Sequence, residues 1–244
     1  MSCRDETLKD EKTGIFAADI EHTGGPFGQI IAIGFAHASP AKPTEIHGLL
    51  ICRHLNKPEG TSWLDFWKES GWDVGTYEWW SNKLELLDYF QSRSADAMIS
   101  VDTDKDLAAQ FNQALAQAEA MYERTFVVVD APLVEPGLLH HLLASHGFNP
   151  LGYTRDGKYR SGVCADSWQH GALQLDPFTH HVHTFSNAQQ TKIDPLRFSH
   201  TPYSHNPTDD AITLLERTFA TLLLLKTGTS SSQRSSSFYC FDST

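Results

Sequence analysis

Three short apolar runs lie near the start of the chain, at residues 14–21, 29–38 and 45–53, with only brief turns between them. The turns contain glycine and proline, residues that commonly separate strands. The sequence therefore predicts three consecutive β-strands that form an antiparallel meander.

Helices and strands alternate along the rest of the chain. Aromatic residues and leucines in 62–93 recur at spacings of three and four, which is typical of helices with one apolar face. Further segments are predicted as a helix at 104–123, a strand at 125–130, a helix at 136–147, a strand at 162–168 and a helix at 207–228, with Asn206 or Thr208 as its cap. A meander followed by this alternation predicts an α/β fold, with a mixed β-sheet flanked by helices.

The termini differ in composition from the central part of the chain. The sequence predicts a flexible charged lead at residues 1–13 and one domain at residues 14–228. It predicts a disordered tail at the serine-rich residues 229–244. The lead has no apolar run, so we expect no signal peptide, and no apolar stretch reaches the length of a membrane span. Four scattered cysteines fit a reducing compartment. These features favour a cytoplasmic protein.

The first chemically informative patch is the pair Asp19 and Glu21, at the end of the first predicted strand. Residues i and i+2 of a strand point to the same face, so the two carboxylates lie together. Like charges this close are unfavourable unless a cation lies between them, and oxygen ligands suit Mg²⁺ or Mn²⁺. The ordinary alternative is a solvated strand end, with one acid capping the turn.

Two later patches carry acids close to helix starts. Asp130 ends a predicted strand, and Glu135 stands just before the next helix, whose dipole favours a carboxylate there. His205 lies just before the last helix, whose first turn holds Asp209 and Asp210. Histidine is the usual general base near neutral pH. Taken singly, these residues also fit helix-dipole acids and a loop histidine.

Together the patches resemble the motifs of the exonucleases named for an Asp-Glu-Asp-Asp core with a histidine, the DEDDh family of the RNase H-like superfamily. DIEHTGG followed by IIAIGFA is similar to the first motif, and His205, four residues and then Asp210 are similar to the third. The resemblance covers roughly residues 14–226 and implies an RNase H-like fold with 3′–5′ exonuclease activity. TYEWW at 76–80 also resembles a helix of the phage-type and mycobacterial-type exoribonuclease branch.

The second motif departs from the family pattern Asn-x-x-Phe-Asp. Laying DAPLVEPG over it puts Ala131 at the asparagine, Val134 at the aromatic residue and Glu135 at the catalytic aspartate. Glutamate in this position gives a DEED-like variant, and coronavirus proofreading exonucleases look similar in this respect. Asp130, at the end of the strand, is the alternative second-motif acid.

The resemblance implies hydrolysis with two Mg²⁺ or Mn²⁺ ions about 4 Å apart. Asp19 would bridge both ions, while Glu21 and Asp210 would hold the ion that activates water. Glu135 would orient the second ion, and His205 would accept the proton of the attacking water. The product would be a nucleoside 5′-monophosphate, released stepwise from a 3′ end.

The net charge of −11 argues against a broad nucleic-acid platform, because proteins that hold long nucleic acids are usually basic. We therefore expect a single-stranded or short RNA or DNA substrate, and no membrane partner. His22, Thr23 and Phe27, in or beside the loop after the first motif, are candidate substrate contacts. Many members of the family are dimers, so the resemblance also implies a homodimer as a possible assembly.

Two other classes of function fit the same residues. A degenerate family member would bind nucleic acid or a protein partner without cleavage, and the departures at Ala131 and Glu135 motivate this alternative. A metal-dependent transferase or another hydrolase on a different mixed sheet would be favoured if Asp19, Glu21 and Asp210 lay far apart.

Other aromatic residues and histidines have ordinary interpretations. Trp79 and Trp80 lie at helical spacing, which is more typical of core residues than of residues that stack on bases. His140 and His141 lie on a predicted helix. The cluster of histidines at 180, 181 and 183 is interpreted as a loop rather than a metal site.

Overall fold

A computed structural model describes residues 11–24, 28–92, 98–129, 134–157 and 205–226, together with the backbone of three strands between 162 and 184. The elements follow in the order β1 (Thr13–His22), β2 (Ile30–Ala38), β3 (His47–Arg53), α1 (Trp63–Glu69), α2 (Val74–Trp80), α3 (Leu84–Gln91), β4 (Met98–Val101), α4 (Asp104–Glu119), β5 (Arg124–Val129), α5 (Glu135–Ser145), β6 (Gly162–Ala165), β7 (Leu173–Leu175), β8 (Val182–Thr184) and α6 (Pro207–Lys226). No helix in these ranges combines the length and the apolar character needed to cross a membrane.

Six strands form one mixed sheet in the order β4-β3-β2-β1-β5-β6, and β7 pairs with β8 in a separate antiparallel sheet. β1, β2 and β3 are antiparallel neighbours, as the meander predicts. β5 runs parallel to β1, β6 parallel to β5, and β4 parallel to β3. The predicted fold class, an α/β fold with a mixed sheet flanked by helices, is confirmed.

The element boundaries differ from the sequence prediction in several places. The aromatic stretch at 62–93 forms three helices, and β4, which has only four residues, was not predicted. α4 ends at Glu119 rather than at residue 123, and α5 begins one residue earlier than predicted, at Glu135. Helix ends depend on the last few backbone hydrogen bonds, which composition does not specify.

β1 separates two hydrophobic layers because its side chains alternate between the faces of the sheet. Phe16, Ala18 and Ile20 belong to a core that also contains residues of α4 and α5. Ile15 and Ala17 point the other way, into a core formed with α6. The end of β1 therefore lies between helices of both layers.

The start of α6 lies directly against the sheet. Asn206 is its N-cap, since its side-chain oxygen accepts a hydrogen bond of 3.1 Å from the backbone amide of Thr208. The Thr208 hydroxyl donates to the carbonyl of Leu49 on β3, at 3.1 Å. At Gly34 on β2, a Cβ atom would overlap the carbonyl group of Pro207. The missing side chain lets the first turn of α6 pack on β2.

Candidate active site

Two acids at the end of β1 point toward α6. Asp19 and Glu21 continue the face of Ile15 and Ala17, which packs against that helix. Asp19 is 5% exposed and Glu21 is 9% exposed. The sequence prediction that the two carboxylates share one face therefore holds, and their burial argues against a solvated strand end.

Glu135 reaches the same strand end from the opposite layer. It is the first residue of α5, and it is 3% exposed. One of its carboxylate oxygens, Oε1, accepts a hydrogen bond of 3.2 Å from the backbone amide of Ile20, the residue between the two β1 acids. The carboxyl groups of Glu135 and Asp19 also share a hydrogen bond. An acid on α5 is thus fixed beside the β1 pair.

α6 supplies the third part of the site. Asp210, in its first turn, is 1% exposed, and His205 lies two residues before the helix. Ligand atoms of Glu21, His205 and Asp210 all lie within 4.8 Å of one another. His205 has a φ of 59°, a left-handed conformation that residues other than glycine seldom adopt. This backbone turns the chain just before the helix.

The clustered acids raise one another's pKa. Burial is the main reason that the pKa of Asp19 lies well above its usual value, and the charges of Glu135, Glu21 and Asp210 raise it further. The pKa of Glu21 is also raised, first by burial and then by Asp210 and Glu135. Ionised together without a cation, these carboxylates destabilise the folded state. Their oxygen-rich donor set fits Mg²⁺ or Mn²⁺.

A lysine and a tryptophan lie beside the acids. The charge of Lys83, the residue before α3, lowers the pKa of Glu21 and so offsets part of its rise. Its ammonium nitrogen is 3.2 Å from the centre of a Trp79 ring. Trp79 contacts His205 edge to face, with ring centroids 4.9 Å apart. Partial burial and then the charge of Lys83 lower the pKa of His205, which favours the neutral form of its imidazole.

The candidate substrate contacts have different surroundings. The Nδ1 atom of His22 accepts a hydrogen bond of 3.0 Å from the amide of Gly24, and burial lowers the pKa of His22. Thr23 is buried, and its hydroxyl accepts a 2.9 Å hydrogen bond from the amide of Gln29, so it closes the loop after β1. Phe27 lies outside the described residues, as does Asp130.

The two tryptophans of α2 differ in environment. Trp80 is fully buried, and its indole N–H donates to the carbonyl of His22 at 3.4 Å, so its interpretation as a core residue is confirmed. Trp79 is 39% exposed and belongs to the site through His205. The sequence reasoning did not identify Lys83, because its only signal is position, three residues after the tryptophan pair.

The remaining histidines singled out in the sequence lie on α5 or at 180–183, a segment that the structure describes only in part. His141 lies on α5, where both of its ring nitrogens are within hydrogen-bonding distance of the Ser145 hydroxyl. His140 lies on the same helix. His180 and His181 fall outside the described residues, and only the backbone of His183 is described, in β8.

No protein-family model matches the chain, and no curated protein does either. Solved structures similar to it include a zinc-bound Escherichia coli ExoI complex with single-stranded DNA, at 9% identity and a TM-score of 0.43, covering 89% of this chain and 41% of that one. Exonuclease I from Methylocaldum szegediense is 10% identical, with a TM-score of 0.43 and coverages of 88% and 43%. E. coli exonuclease I with a dT13 oligonucleotide is 11% identical, with a TM-score of 0.40 and coverages of 88% and 41%. The chain spans about two fifths of the length of these proteins.

Proposed function

We propose that this chain is a metal-dependent 3′–5′ exonuclease that releases nucleoside 5′-monophosphates from single-stranded or short nucleic acid. One observation carries the proposal: four buried acids from β1, α5 and α6 meet at one strand end, next to a histidine. Burial and the neighbouring carboxylates raise the pKa of Asp19 and of Glu21, so their ionised forms are disfavoured unless a cation lies between them. The cluster therefore favours a site that binds cations.

The acids have separate roles in this proposal. Asp19 interacts electrostatically with the other three acids and would contact both cations, while Glu21 and Asp210 would hold one of them. Glu135 would hold the second, from the α5 side. Bound Mg²⁺ or Mn²⁺ supplies electrostatic stabilisation of negative charge on the phosphate and lowers the pKa of bound water. His205 would serve as the general base rather than as a ligand, because Mg²⁺ prefers oxygen.

His205 is suited to accept a proton. Its lowered pKa favours the neutral imidazole, and a neutral imidazole nitrogen can take the proton of an attacking water. Its ligand atom lies within 4.8 Å of those of Glu21 and Asp210, close enough for one water molecule to lie between them. The edge-to-face contact with Trp79 limits how far the imidazole can rotate.

The decisive experiment is a cleavage assay on 5′-labelled single strands of DNA and of RNA, with Mn²⁺ or Mg²⁺. We expect a ladder of products shortened from the 3′ end, and no products after EDTA is added. Asp210→Asn should lower the rate by at least about 10²-fold. Asp209→Asn, one residue earlier on the same helix turn, is the matched control and should cleave at close to the wild-type rate.

Intact strands with wild-type protein at high concentration would refute the proposal. If a mobility-shift assay then showed retained binding of the strand, the degenerate, non-cleaving alternative would be favoured instead. Equal loss in the Asp209 and Asp210 variants would also count against the site, because only Asp210 is close to Glu21 and His205.

Glu135 is proposed as the second-motif acid in preference to Asp130. The support is its hydrogen bond to the Ile20 amide and its shared hydrogen bond with Asp19. We expect Glu135→Gln to lower the cleavage rate by at least about 10²-fold, since one carboxylate charge is lost from the cation site. Asp130→Asn should retain most of the activity, and the reverse order of effects would assign the role to Asp130.

A further inference from the structure

The segment joining α2 and α3 places a cation beside the acid cluster. Lys83 stands over a Trp79 ring, with its ammonium nitrogen 3.2 Å from the ring centre. At this distance the cation is attracted by the negative face of the indole. Trp79 in turn contacts His205, and Lys83 acts electrostatically on both Glu21 and His205. The indole therefore fixes where the lysine charge lies relative to the site.

The backbone that carries this pair is attached to the end of β1. Trp80 is fully buried, and its indole N–H donates to the carbonyl of His22, the residue after Glu21. The amide of Lys83 donates to the carbonyl of Trp80 at 2.7 Å, and the carbonyl of Lys83 accepts from Leu86 at 3.0 Å. Lys83 thus extends from a short, hydrogen-bonded connection rather than from a long loop.

The charge balance of the proposed site suggests a role for the Lys83 ammonium group. Four ionised carboxylates and two divalent cations cancel, so the pair of cations leaves no excess positive charge for the substrate. A phosphodiester carries one negative charge, and further negative charge builds on its oxygens as water attacks. A cation fixed beside the cluster and partly open to solvent is placed to meet that charge.

We propose that Lys83 is a catalytic residue whose ammonium group binds a non-bridging oxygen of the scissile phosphodiester. The inference rests on the proposed function, because it concerns the same site. Lys83 forms and breaks no covalent bond; it stabilises negative charge as the attacking water displaces the 3′ oxygen. Its partner is a phosphate oxygen, so the contact is independent of the base at the 3′ end.

The test compares three substitutions in the strand-cleavage assay. Lys83→Met keeps an aliphatic stem over Trp79 but removes the charge, and we expect kcat to fall by about 10- to 100-fold with a smaller change in KM. Lys83→Arg should restore most of kcat because it keeps the charge. Lys57→Met is the matched control, since the Lys57 ammonium lies 5.3 Å from the centre of the Trp63 ring, and kcat should not change.

Thermal unfolding of each variant shows whether a lower kcat reflects the lost contact or an unfolded protein. Lys83→Gln replaces the methionine variant if that variant unfolds. Unchanged kcat in the uncharged variant overturns the role of Lys83 while the proposed exonuclease function stands. A loss in the arginine variant as large as in the methionine variant also overturns it, because charge would then not be the cause. If the wild-type protein cleaves neither DNA nor RNA, the proposed function fails, and the role of Lys83 fails with it.

Discussion

The Asp19→Asn protein is expected to cleave labelled strands at least about 10³-fold more slowly than the wild-type protein. Asp19 interacts electrostatically with all three other acids of the cluster: Glu135, Glu21 and Asp210 each raise its pKa. Removing its charge therefore weakens the site for both proposed cations rather than for one. Loss of a single preorganised electrostatic group commonly costs about 10²–10³ in rate, and loss of cation binding adds to that.

The same substitution should stabilise the metal-free protein. The folded-state pKa of Asp19 is raised, so protonation of this carboxyl group stabilises the folded state. The contribution to the free energy of unfolding is fully present below the unfolded-state pKa of about 3.9, and it is lost as pH rises through the folded-state pKa. Asparagine cannot ionise, so the metal-free variant should melt higher than the wild-type protein, and the difference should grow as pH rises from about 4 through the folded-state pKa of Asp19. One kcal/mol shifts the melting temperature of a chain this size by about 2–4 °C.

Thermal melts in EDTA and in Mn²⁺ measure both effects. Wild-type protein should gain stability on addition of Mn²⁺, since a ligand that binds only the folded state stabilises it, whereas Asp19→Asn should gain little. Asp102→Asn, at an exposed position after β4, is the control and should behave as the wild type does. A variant that still cleaves, or that melts lower than the wild type in EDTA at pH 8, would contradict the role given to Asp19.

Gly34→Ala is expected to separate the start of α6 from the sheet. Gly34 is paired with Asp19 across β1 and β2, and an added Cβ would overlap the carbonyl group of Pro207. Backbone atoms cannot rotate away as a flexible side chain can, so the helix start must shift. Overpacking of this kind destabilises by about 1–3 kcal/mol, and we expect a value at the upper end.

The shift would also reach the site, because Pro207 is three residues before Asp210 on the same helix. We therefore expect weaker Mn²⁺ binding by calorimetry and a cleavage rate lowered by at least about 10²-fold, since small displacements of catalytic groups have large effects. Gly152→Ala is the matched control: no atom lies within 4 Å of the added Cβ, and urea unfolding should change by less than about 0.5 kcal/mol. Wild-type stability and Mn²⁺ affinity in Gly34→Ala would show that the close approach does not position Asp210.

The paired acids of β1 could be predicted from the sequence because their spacing is local. A strand has a side-chain period of two, so the positions of Asp19 and Glu21 in an apolar run already place both carboxylates on one face. The cap of α6 is local in the same way: Asn206 precedes Pro207, and the structure has this asparagine as the N-cap. The antiparallel meander follows from short turns between successive apolar runs.

The family resemblance implied which acids share the site, but only the tertiary structure brings them together. Spacing along the chain does not show that Glu135 from one layer and Asp210 from the other approach the same strand end, because that depends on how α5 and α6 pack on the sheet. The place of Lys83 depends on Trp80 being buried against β1, a contact between residues 58 positions apart. Local periodicity determined what each segment forms. Long-range packing determined which side chains meet, since those contacts join residues whose separation in sequence carries no periodic signal.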